Sequence, residues 1–137
     1  MTQMYDDALR DLMRSVRGEV SPAGHLGPVS KPDIDRWAET GGMGVEEVFD
    51  AIGVGLAKDY DRGILTWGFC DRVANDLFGV LVQTEFSGQC DLFWQFYLAF
   101  DCSEMKPTEA ESDALAREEI AKFLSSLAAA DPNLKSR

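Results

Sequence analysis

At 137 residues, 45% apolar and 27% charged, the chain has the length and composition of one globular domain, which excludes wholesale disorder and makes two independent domains unexpected. Thirteen basic residues against 24 acidic ones leave a net charge of −11. That excess repels phosphate backbones and anionic bilayers, so neither nucleic acid nor a membrane surface is an expected partner.

The first predicted element runs from Gln3 to Arg17. Tyr5, Ala8, Leu9, Leu12, Met13 and Val16 recur every three or four residues, while Asp6, Asp7, Arg10, Asp11 and Arg14 fill the opposite, solvated face of an amphipathic helix. Gly18 to Val29 is too rich in breakers for helix or strand. It carries the lone histidine, His25, read as a solvated loop residue. Ser30-Lys31-Pro32-Asp33 has the capping residue, early proline and first-turn acid of a helix start, and this helix carries Ile34 and Trp37 to a stop at Gly41-Gly42.

A third helix is expected from Gly44 to Asp61. Glu46 and Glu47 sit in its first turn, where carboxylates are favoured, and Val45, Val48, Phe49, Ile52, Leu56 and Tyr60 form its apolar stripe. Gly53 and Gly55 lack the rest of a nucleotide-binding fingerprint; close approach of a neighbouring helix explains them. Gly63 stops this helix and Thr66 caps the next, which runs from Trp67 to about Phe86. Its broad apolar face includes Phe69, Cys70, Val73, Leu77 and Leu81. Its narrow polar face holds Asp71, Arg72, Asn75 and Asp76.

After a break at Ser87-Gly88, Cys90 to Phe100 is apolar almost all round. No second strand candidate exists to pair with it, so helix is preferred, either central and buried or facing a partner. Thr108 and Glu111 have capping-box spacing at the start of the last helix, whose inward face is Leu115, Ile120, Phe123, Leu124 and Leu127. Asp131-Pro132 ends it, and 131–137 reads as a frayed tail. The fold expected is an all-α, single-domain irregular bundle of five or six helices spanning 1–137. Phe49, Ile52, Phe69, Val73, Leu77 and Phe96 are expected in its core.

Cys70, Cys90 and Cys102 are odd in number and widely spaced. They suit neither a zinc site nor a disulfide framework, and buried free thiols are expected. The N-terminus lacks the basic and apolar regions of a signal peptide, and Leu92–Phe100 is too short to span a bilayer, so a cytoplasmic location is expected. No GxSxG, HExxH or P-loop is present, and no cofactor or bound metal is expected.

The tentative binding residues are Asp71, Asn75, Asp76, Glu46 and Glu47. Asp71 and Asn75 share a helix face; Arg72 and Asp76 are spaced to pair. Asp33 to Asp61 holds eight acidic residues against two basic, and Asp101 to Glu119 seven against two. Between them lies the aromatic middle of the chain. An apolar anchor rimmed by charge is a common interface plan, so the expected function is non-enzymatic binding of a basic protein. The alternatives are a small metal-dependent enzyme using Asp59, Asp61, Asp71 and Asp76 as oxygen ligands, or a ligand-binding helical module. Leu92–Phe100 is also a candidate surface for a second copy of the chain.

The stretch Gly63-Ile64-Leu65-Thr66 through Phe69-Cys70-Asp71-Arg72-Val73-Ala74-Asn75-Asp76-Leu77-Phe78 resembles small acidic helical bacterial proteins of the bacteriocin-immunity type. Its turn is followed by a helix that places Asp and Asn before large apolar residues. The resemblance implies a stoichiometric inhibitor whose acidic surface docks on a basic toxin nuclease, with docking quickened by complementary charge.

Overall fold

A computed structural model of the chain describes residues 3–22, 24, 27–83 and 90–130. His25, the break at Ser87-Gly88 with Phe86, and the tail 131–137 lie outside the described residues. Six helices and no strand are found among those described: α1 (Gln3–Val16), α2 (Lys31–Gly41), α3 (Val45–Asp61), α4 (Trp67–Gln83), α5 (Asp91–Ser103) and α6 (Glu109–Ala130). The chain is an all-α helical bundle.

The ends of these helices follow local chemistry. At the start of α2, the Ser30 N–H donates to Asp33 Oδ2 at 2.9 Å, and Gly42 closes the helix in the left-handed region at φ 62°, which glycine adopts without penalty. The Phe69 N–H donates to Thr66 Oγ1 at 3.1 Å, and the Glu111 N–H to Thr108 Oγ1 at 3.2 Å, so both predicted caps operate. The start of α5 is capped from a distance: its Phe93 N–H donates to Asp50 Oδ1 on α3 at 3.0 Å.

The most enclosed helix is α3, which packs against every other helix. The Cys90–Phe100 segment, expected to be a helix either central and buried or facing a partner, is a helix with one buried and one exposed side. Phe93, Phe96, Ala99 and Phe100 of α5 are buried, but Asp91, Trp94, Gln95, Asp101 and Cys102 are exposed. α3 and α5 run side by side in the same direction, with Phe49 edge-on to Phe93 and Tyr60 edge-on to Phe100. Gly53 permits this approach: a Cβ there would stand 2.9 Å from Phe93 Cα. Gly55 serves α1, because a Cβ would enter the Tyr5 ring. The reading of both glycines as points of close approach therefore holds.

Phe49, Ile52, Val73, Leu77 and Phe96 are fully buried. Phe69 is only partly so, because the buried stripe of α4 runs through Cys70, Val73, Ala74, Leu77 and Leu81 and leaves Phe69 on its flank. Asp11, expected on a solvated face, and Asp33, the expected first-turn acid of α2, are both internal. Asp11 is buried where α2 crosses α1, and accepts hydrogen bonds from Trp37 Nε1 at 2.8 Å and Arg36 Nη1 at 2.9 Å. Asp33, fully buried, takes the other Arg36 nitrogen at 2.9 Å. One guanidinium thus ties two carboxylates and clasps α1 to α2. Cys70 and Cys90 are buried free thiols; Cys102 is free but exposed, because it lies on the outer side of α5.

Candidate functional site

The structure disperses the tentative binding residues. Glu46 and Glu47 lie in the first turn of α3, where Glu47 Oε1 accepts from the Gly44 N–H at 3.4 Å. Cys90 Sγ contacts the Glu46 carbonyl at 3.7 Å, so this turn is level with the start of α5. Asp71 and Asn75 instead meet the far end of α5, about 18 Å away along the helix. Asp76 turns aside: it pairs with Arg72 at 3.4 Å and, with Asn75, borders a shallow groove of about 230 Å³ against Pro28–Ser30.

The metal-ligand constellation does not assemble either. Asp59 is buried and accepts from the Tyr5 hydroxyl at 2.7 Å, with Arg62 at 3.6 Å. Asp61 is exposed at the end of α3. Asp71 and Asp76 have the separate neighbours given above. Among the described residues no group of three or more His, Cys, Asp or Glu is placed to hold a metal ion.

What the structure does bring together is the outward face shared by α4 and α5, which run antiparallel. Asp71, Asn75, Phe78 and Val82 follow one another along α4 at spacings of four, three and four. Glu104, Asp101, Tyr97 and Trp94 answer them along α5 at three, four and three. Such spacings put each set on one stripe. The two stripes make a continuous strip about 16 Å long, polar at one end and aromatic at the other.

At the polar end, Asn75 Nδ2 donates to Glu104 Oε1 at 3.3 Å and to the Asp71 carbonyl at 2.9 Å. Partial burial, the Glu104 carboxylate through its charge and a shared hydrogen bond, and the Asp101 charge push the Asp71 carboxyl up to about 7. Its Oδ1 is shielded from water and accepts no hydrogen bond. Among the described residues no lysine or arginine forms an ion pair with Asp71, Asp101 or Glu104. Three carboxylates thus gather with no cation of their own.

At the aromatic end, Phe78 stacks on Tyr97 with ring centres 4.4 Å apart and planes 15° apart. Trp94 continues the ledge at 5.4 Å from Tyr97 and 5.7 Å from Phe78. Trp94 is 43% exposed and Val82, one turn beyond Phe78 on α4, is 52% exposed. The Tyr97 hydroxyl reaches Asp101 Oδ1 at 3.5 Å, the long end of hydrogen-bond range, and joins the two ends.

Sequence reasoning named Asp71 and Asn75 as residues, and Asp101 and Glu104 only within the acidic segment Asp101–Glu119 beside the aromatic middle; it did not bring Tyr97, Asp101 and Glu104 to Asp71, although the 94–97–101–104 spacing was a usable signal. Comparison with protein families, with curated proteins and with solved structures finds no match to this chain. No helix among the described residues is long and apolar enough to cross a membrane.

Proposed function

We propose that the chain is a non-enzymatic interaction protein that binds a basic protein partner through the outward face of α4 and α5. The observation that carries this reading is the juxtaposition on one strip of a half-exposed aromatic ledge and three carboxylates without a cation. Aromatic side chains anchor interfaces by burying large areas at low entropic cost, and adjacent charge selects the partner and speeds encounter. Two of the five tentative residues, Asp71 and Asn75, belong to this strip; Asp76, Glu46 and Glu47 fall outside it. An immunity-type inhibitor of a basic toxin is one form such binding takes, and the segment carrying that resemblance supplies the α4 half of the strip.

A second copy of the chain is the weaker occupant. Phe93, Phe96, Ala99 and Phe100 of Leu92–Phe100 are turned into the core, and a like copy would set carboxylates against carboxylates. A carboxylate-based metal enzyme is not favoured, because Asp59, Asp61, Asp71 and Asp76 have separate surroundings.

The test compares the full chain with a Trp94→Ala/Asp101→Asn/Glu104→Gln variant as immobilised baits at low salt, and then follows association kinetics with the partner recovered. The expected partner is basic and binds the wild type. Its association slows as salt rises, and it is lost by the variant, whose fold circular dichroism verifies. Equal retention by both baits refutes the assignment of this face. An acidic partner with salt-independent association refutes the charge argument.

A further inference from the structure

We draw no further inference here: the strongest candidate, the groove of about 360 Å³ between α5 and α6 lined by Leu98, Ala99, Phe123 and the exposed Cys102 thiol, carries nothing because nothing in the structure shows what covers it.

Discussion

Replacing Asp71 by asparagine should make the protein more stable at pH 8 and leave it nearly unchanged at pH 4.5. The Asp71 carboxyl is pushed up to about 7 by burial and by Glu104 and Asp101, against about 3.9 for an unperturbed aspartate. Between these values the folded chain holds a proton that the unfolded chain has released. The stability carried by that proton is whole below about pH 4 and is lost as pH rises through 7. Three units correspond to about 4 kcal/mol at full value. The side chain is only half-buried, so solvent screening reduces this to about 1–2 kcal/mol. Asparagine keeps the shape, carries no charge and can donate to Glu104. A gain of about 1–2 kcal/mol at pH 8 corresponds to a rise in Tm of about 3–8 °C for a chain of this size. Urea unfolding and calorimetry at both pH values provide the assay. A loss of stability at pH 8, or a gain that does not depend on pH, would refute the assignment of repulsion among these acids.

Gly53→Ala should cost about 2 kcal/mol in urea unfolding, because its Cβ would stand 2.9 Å from the backbone of Phe93 and overpacking outweighs the better helix propensity. Gly79→Ala, on the same criterion, should stabilise by about 0.5–1 kcal/mol, since open space surrounds it within α4 and alanine favours helix. Asp11→Ala should cost about 3 kcal/mol, as it strips both the buried Trp37 N–H and the Arg36 guanidinium of an acceptor; Asp11→Asn should cost less. Trp94→Ala should cost no more than about 1 kcal/mol of folding stability, because the ring is 43% exposed.

The helices were legible because their signals are local. Thr66, Thr108 with Glu111, and Gly63 act within one turn of themselves, so sequence spacing alone places the ends of α3, α4 and α6. The burial of Asp11 was not legible. On α1 it is one acid among several, and only the crossing of α2, which brings Arg36 and the Trp37 N–H to it, makes it internal. Cys102 looked buried from its neighbours Phe100 and Ala99, yet it follows the outer side of α5, a rotation that no one-dimensional pattern fixes when a helix is apolar nearly all round. Asp76 and Asn75 are adjacent in sequence but about 100° apart on the helix. One joins Glu104 and the other joins Arg72.

The strip itself depends on two facts that belong to tertiary structure: that α4 and α5 are antiparallel, and that they are in register so that Asp71 meets Glu104 while Phe78 meets Tyr97. Given those, its composition is a physical puzzle if folding alone is considered. Three carboxylates with no cation among the described residues raise the energy of the folded state above pH 7, and an exposed indole beside a stacked ring pair invites association. Either fault could be mended locally, by an asparagine at 71 or a polar residue at 94, without touching the core residues Phe93, Phe96 and Phe100 on the other side of α5. Features that weaken the free protein and can be removed without cost to packing are where binding is expected to reside. Here both occur within three turns of the same two helices. A partner surface that sets a basic group beside an apolar one would relieve them together, the first against the carboxylates and the second over the rings.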